Sequence, residues 1–150
     1  MSRAEAEEHP PSLLYSIKQV ELASRSHLDE LVRPAGITAL QYTALTVLEL
    51  RDDLSAAELA RNSFVTPQSM SDLVSALERR DLISRTRDPA SRRRHIISLT
   101  DGGRALLSVY APAVRKLEET MLDGFTDAER TAFRDHLARC RAALSRTPPN

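Results

Sequence analysis

One cysteine, four glycines and no tryptophan among 150 residues exclude several classes of protein before any motif is sought. Cys140 alone can build neither an intramolecular disulfide framework nor a cysteine-rich zinc site. Four glycines, none in a phosphate-binding loop, argue against a sheet-rich or glycine-loop enzyme. The histidines, His9, His27, His95 and His136, are scattered, with no His-Glu-x-x-His pair and no setting that would activate a nucleophile. No apolar run approaches the roughly 18 residues of a membrane span. The opening MSRAEAEEHPP is acidic and lacks the apolar centre of a secretory signal. No catalytic residue, metal ligand or cofactor is therefore expected, and a soluble, cytoplasmic protein is the default.

An excess of one charge sign is missing as well, since the formal net charge is zero. The distribution is uneven, however. Between Arg79 and His95 stand seven arginines (79, 80, 85, 87, 92, 93 and 94) against Asp81 and Asp88. That local excess of five positive charges leaves the remainder of the chain at −5. A basic cluster inside an otherwise acidic chain is an electrostatic footprint aimed at a polyanion, and a solvated basic loop is the alternative.

What the sequence does contain is helix punctuation. Thr38-x-x-Gln41, Ser55-x-x-Glu58 and Thr126-x-x-Glu129 fit the capping box, in which the first and fourth side chains satisfy free backbone N–H groups. Thr66 followed by Pro67 is a further start, and Thr100-Asp101 another. Apolar spacing agrees with these starts. Leu13, Ile17, Val20, Leu28 and Leu31 mark a long first helix that ends near Pro34-Ala35-Gly36. A second helix over 39–50 turns Leu40, Ala44, Val47 and Leu48 inward. A short third follows Ser55 with Ala56, Leu59 and Ala60 inward, and a fourth from Thr66 buries Met70, Leu73, Val74 and Leu77.

The period then changes. Residues 82–87 and 95–99 are β-branched and alternating, and Asp88-Pro89-Ala90-Ser91 lies between them with three arginines, which predicts a hairpin with a basic loop. A long helix follows Thr100, with Pro112 expected to kink or loosen it. A last helix carries Phe133, Leu137, Cys140 and Leu144, and RTPPN is a frayed tail. The fold expected is mostly α with a small β-hairpin, in the order of a winged helix-turn-helix.

The fourth helix and the hairpin carry the chemistry. With its apolar stripe buried, the helix shows Thr66, Gln68, Ser69, Ser71, Asp72, Ser75 and Arg79 outward. Short hydroxyl side chains let a helix start approach a major groove, and Gln68 can bond an adenine edge at two points. A plain polar helix surface would look similar. Asp72 is awkward beside phosphate; it either accepts from a cytosine amino group or orients an arginine. Arg92, Arg93 and Arg94, expected at the turn, suit phosphate or a narrow minor groove, and Arg85 and Arg87 share one side of the first strand.

The stretch DLISRTRDPASRRRHIISLTDGGRALL resembles the wing and following helix of the multiple-antibiotic-resistance regulator (MarR) family. Arg93, Leu99, Thr100 and Gly103 match that family's Asp-x-Arg, apolar strand, Leu-Thr-x-x-Gly pattern. LSAAELARNSFVTPQSMSDLVSALERRDLI is similar to its helix-turn-helix, and GITALQYTALTVL to its second helix. Two positions depart from the pattern. Ser91 replaces the aspartate that pairs with wing arginine, and Asp81 replaces the glycine that ends the recognition helix, a place aspartate tolerates with some strain.

The resemblance implies a homodimer joined by residues 11–33 and 101–146, with a DNA-binding lobe over 38–100 that reads a palindromic operator in double-stranded DNA. It further implies a transcription regulator, most often a repressor, released by a small phenolic or amphipathic effector. His27 and Tyr42 are the pocket candidates, and ordinary packing is the alternative for each. Cys140 is expected in a core or dimer interface rather than in a redox switch, since it lies on an apolar stripe. The rival to DNA binding is a winged-helix module that binds protein.

Overall fold

The computed structural model describes residues 10–51, 53–63 and 65–146, except the side chain of Arg92. The acidic opening through residue 9 and the last four residues of the expected frayed tail lie outside the described residues. The order is α1 (Leu13–Val32), a 3-10 turn (Arg33–Ala35), α2 (Ala39–Leu50), α3 (Ala56–Ser63), α4 (Pro67–Arg79), β1 (Ile83–Asp88), β2 (Ser91–Leu99), α5 (Asp101–Met121) and α6 (Asp127–Arg146). The strands form one antiparallel hairpin, so the fold is the expected mostly helical one with a wing. Among the described residues no helix is long and apolar enough to cross a membrane.

The helices begin where side chains can satisfy free N–H groups. At α2 the Gln41 N–H donates to Thr38 Oγ1 at 3.2 Å and the Thr38 N–H to Gln41 Oε1 at 2.9 Å. Asp29 on α1 adds a carboxylate that accepts from the Ala39 N–H at 2.6 Å, which ties α1 to the start of α2. The Ser55 hydroxyl accepts from the Glu58 N–H at 3.2 Å, and Thr126 accepts from Glu129 at 3.1 Å. Gly36, at φ +72, turns the chain out of the 3-10 segment in a conformation open to few other residues.

The chain divides into two compact units, 1–114 and 115–150. In the first, Leu45 and Leu48 of α2, Leu59 of α3, Met70 and Leu77 of α4 and Ile97 of β2 are fully buried. Each such side chain stabilises the fold by about 1.5–3 kcal/mol through removal from water. The α4 stripe is buried as its spacing predicts. On α2 the expectation fails at one position. Leu40 is exposed, and Tyr42 and Leu45 are buried instead. Neighbours α1, α3 and β2 all touch α2, so its buried arc is wide and its centre does not follow from spacing. Ala56, expected inward, is also exposed. On α1 only the C-terminal end packs on this core; Leu13, Ile17 and Val20 stand exposed.

Leu54 makes a single β-bridge to Ile97, whose N–H donates to the Leu54 carbonyl at 2.8 Å. One residue before it, the Asp53 carboxylate accepts from the Ser98 hydroxyl at 2.7 Å. Just past the end of β2, the Thr100 hydroxyl donates to the Asp81 carbonyl at 2.6 Å and accepts from the Gly103 N–H at 3.1 Å. This joint starts α5 on the end of the wing. The helix then runs unbroken through Pro112, although proline offers no N–H to the Ser108 carbonyl. In the second unit, Phe125 and Phe133 meet edge to face at 5.9 Å, and α6 buries no residue. Cys140 is exposed there.

Two substitutions test this joint. A Cβ on Gly103 would lie 2.3 Å from the Leu82 carbonyl oxygen and 2.5 Å from Leu99 Cδ1, so α5 could not sit this close to the hairpin. Gly103→Ala should lower stability by about 1–3 kcal/mol in urea unfolding, the usual cost of overpacking. Asp81 occupies the left-handed region at φ +57, with its N–H donating to the Glu78 carbonyl at 3.0 Å. Asp81→Gly should raise stability by up to about 1 kcal/mol in the same measurement, because glycine meets no Cβ clash there.

Candidate nucleic-acid interface

Thr66 caps α4 and thereby sets what its first turn presents. Its hydroxyl oxygen accepts from the Ser69 N–H at 3.2 Å and lies 3.0 Å from Ser69 Oγ. Gln68, Ser69, Ser71 and Asp72 are exposed, while Ser75 is half-buried. Arg79 is exposed in the last turn. Gln68 and Ser69 thus stand in the first turn, at the positive end of the helix dipole, with Ser71 and Asp72 in the turn that follows. Among the described residues no arginine forms an ion pair with Asp72.

The wing differs locally from the sequence reading. The arginines do not lie in the turn. Asp88 accepts from the Ala90 N–H at 2.9 Å and closes a turn of Pro89 and Ala90 alone. β2 begins at Ser91, so Arg92, Arg93 and Arg94 belong to the strand. Asp88 pairs with Ser91 and Arg87 pairs with His95, which leaves the three arginines without partners on β1, as a bulge beside the tip. Arg85 and Arg87 share the face of their partners Ile97 and His95, and Ile97 is buried. The side chain of Arg92 lies outside the described part.

The remaining four wing arginines fall into two pairs. Arg87 and Arg93 are exposed and make no ion pair among the described residues. Arg85 Nε lies 3.5 Å from Glu78 Oε2 on α4. Arg94 pairs with Glu58 on α3, and its Nε lies 3.8 Å from Asp88 Oδ2. Sequence reasoning missed these carboxylate partners, because Glu58 is accounted for there by its capping box and no motif singles out Glu78. The separation of 36 positions between Glu58 and Arg94 leaves no local signal.

Between α3, α4 and the hairpin lies a cavity of about 540 Å³, lined in part by Ser55, Glu58, Arg61, Ser71, Arg85 and Arg93. The Ser55 hydroxyl, above all, holds the Glu58 carboxyl below its ordinary value; burial opposes this, and the Ser55 N–H, Arg94 and Arg61 assist it. The effector-pocket candidates lie elsewhere. His27 is exposed on α1, Tyr42 is buried in the core, and neither lines this cavity.

A lowered carboxyl value means that the fold favours ionised Glu58. Its contribution is fully present above the ordinary value of about 4.5 and is lost as pH falls below that through the lowered folded value. Wild type and Glu58→Gln should therefore differ in urea midpoint at neutral pH and converge in acid. A difference that instead grows in acid contradicts the assignment.

Comparison with known proteins now meets this geometry. A sequence model described as MarR family matches residues 35–94. The chain is 31% identical over 97 residues to the HTH-type transcriptional repressor NicR of Pseudomonas putida, which covers 65% of this chain and 61% of NicR. It is 30% identical over 125 residues to the HTH-type transcriptional repressor Rv2887 of Mycobacterium tuberculosis, covering 83% of this chain and 90% of the relative. In fold it resembles the S. aureus MepR–DNA complex, with TM-score 0.77, 23% identity and coverage of 90% and 100% of the two chains. It likewise resembles Bordetella bronchiseptica BpsR, described with regulation of DNA binding by 6-hydroxynicotinic acid, at TM-score 0.76, 20% identity and coverage of 89% and 98%. With helix-turn-helix, wing and near-complete coverage of a relative in agreement, the chain belongs to the MarR family and is a transcription regulator, not an enzyme.

Proposed function

We propose that the protein is a sequence-specific regulator of transcription that binds a palindromic operator in double-stranded DNA as a homodimer, represses there, and is released by a small phenolic or amphipathic effector. The observation that carries this reading is the exposed polar start of α4 on the same lobe as the exposed Arg87 and Arg93, which make no ion pair among the described residues. A helix start with hydroxyl and amide side chains fits a major groove, and free arginines beside it fit phosphate or a narrow minor groove. MepR, of the same fold, is known in a complex with DNA, and NicR and Rv2887 are named repressors.

Pairing is supported by apolar surface that a single chain leaves in water. Leu13 is 81% exposed and Leu14 79% on α1, and Leu144 is 72% exposed on α6. Residues 11–33 and 101–146 are the proposed dimerisation segments, around the lobe of 38–100. Two-fold symmetry would then place both α4 helices on one side of the duplex, about one helical turn apart. Effector release is supported by BpsR, whose DNA binding is regulated by 6-hydroxynicotinic acid. His27 and Tyr42, on adjoining α1 and α2, are the residues proposed to meet such a ligand.

Two variants separate positioning from reading. Arg93→Ala should weaken binding to every sequence, by about 1–3 kcal/mol on the specific site, and reduce the salt dependence by about one ion. Gln68→Ala should keep that slope and relax discrimination at one base pair of each half-site by about 1–3 kcal/mol. Titrations of operator and single-base variants at several salt concentrations read both effects. If Arg93→Ala binds all DNA as wild type does, the wing is no DNA contact. A wild type with no salt-dependent DNA affinity points to a protein-binding module. Light scattering at micromolar concentration should give the dimer mass, and a folded monomer would contradict the pairing.

A further inference from the structure

The bulge at Arg92-Arg93-Arg94 poses a mechanical problem. Residues without partners on β1 lack the ladder hydrogen bonds that hold a hairpin tip in place. What replaces them is visible along the opposite edge of β2, where the chain of residues 53–58 runs past it. Ser98 donates to Asp53 at 2.7 Å, the Ile97 N–H donates to the Leu54 carbonyl at 2.8 Å, and Arg94 donates to Glu58. As β2 is followed backwards from residue 98 to 94, its partners advance from 53 to 58. These contacts fasten the wing to the start of the helix-turn-helix, and Arg94 is the outermost of them.

We infer that Arg94 is a positioning residue that holds the wing against α3, so that the DNA contact of the wing falls to its neighbour Arg93. The guanidinium bridges two elements, with Glu58 at the first turn of α3 on one side and Asp88 beside the tip on the other. Arginine's planar fork suits such a bridge, and a lysine's point charge does not. On α3, the oxygen that receives Arg94 is Glu58 Oε1, which also accepts from the Ser55 hydroxyl at 2.9 Å. That carboxylate is thus already oriented by the helix cap. Arg85 and Glu78 make a second link, from β1 to α4. The aspartate that the family's wing carries at position 91 is absent here, and Arg94 with Glu58 and Asp88 supplies the tie from different positions.

The side chains of Arg94 and Glu58 remain 46% and 32% exposed, so the pair adds little to global stability. Its effect is local. With Arg94 fastened, the adjacent Arg93 leaves the strand from a fixed point beside the outward face of α4.

The inference rests on the proposed DNA binding for its consequence but not for its geometry, and the test separates the two. Hydrogen exchange of the hairpin amides is followed in the DNA-free protein for wild type, Arg94→Ala, Arg94→Lys, Glu58→Gln, the Arg94→Ala/Glu58→Gln pair and Arg93→Ala. Arg94→Ala and Glu58→Gln should each speed exchange near the tip by about two- to fivefold, as loss of an exposed ion pair allows. The double variant should add nothing further, Arg94→Lys should not restore protection, and Arg93→Ala should leave it unchanged. Salt titration of an operator duplex should then show Arg94→Ala weakening binding with an unchanged slope. Unchanged exchange in Arg94→Ala, or additive effects in the double variant, overturns the positioning role. A slope reduced by one ion in Arg94→Ala would make Arg94 itself a DNA contact and likewise overturn it. If even wild type shows no salt-dependent binding, the proposed function fails while the exchange arm still decides the tie.

Discussion

Burial of Met70, Leu73, Val74 and Leu77 is the constraint on which the interface depends. A helix has one period, so committing these four side chains to the core leaves no choice about which residues of α4 face water. Gln68, Ser69, Ser71 and Asp72 are outward because the stripe is inward. The same core receives Ile97 and Leu99 from β2 and Leu107 from α5. The helix α4, the wing and the start of α5 are therefore oriented by one packed interior, which supplies the rigidity that the proposed reading of base edges needs.

Electrostatics adds the second layer, and it is smaller than a count of charges suggests. Seven arginines stand between positions 79 and 95, yet Arg85 and Arg94 are engaged by carboxylates of α4, α3 and the wing itself. Internal pairing removes part of the positive field and converts it into shape. Among the described residues Arg79, Arg80, Arg87 and Arg93 make no ion pair, in a chain whose net charge gives no long-range pull toward a polyanion. Attraction to DNA must then be local to this lobe.

Local signals made most of the fold legible. The three capping boxes, the Thr66-Pro67 start and the Thr100 hydroxyl act within three residues of themselves, and each forms as the sequence implies. The left-handed Asp81 was visible as a residue standing where a glycine is expected. Contacts between distant segments were not legible. Nothing near Leu54 resembles a strand, because its single bridge to Ile97 depends on tertiary packing. Exposure of Leu40 follows from three neighbours around α2, which no spacing encodes. For the site, the residues of α4 were readable from helical period alone, whereas the two fates of the wing arginines depended on Glu58, 36 positions from Arg94, and on Glu78, which meets Arg85 only once the chain has turned from α4 into β1.

The central claim is that α4 lies in a major groove with the wing on the adjacent backbone, twice, in two-fold symmetry. Methylation protection with phosphate-ethylation interference, on a site selected by the protein from random duplexes, tests it most directly. The account predicts two clusters of protected major-groove guanine N7 atoms about 10–10.5 base pairs apart, each flanked by phosphates whose ethylation blocks binding. Backbone interference without any major-groove protection, or a single unrepeated cluster, would contradict it.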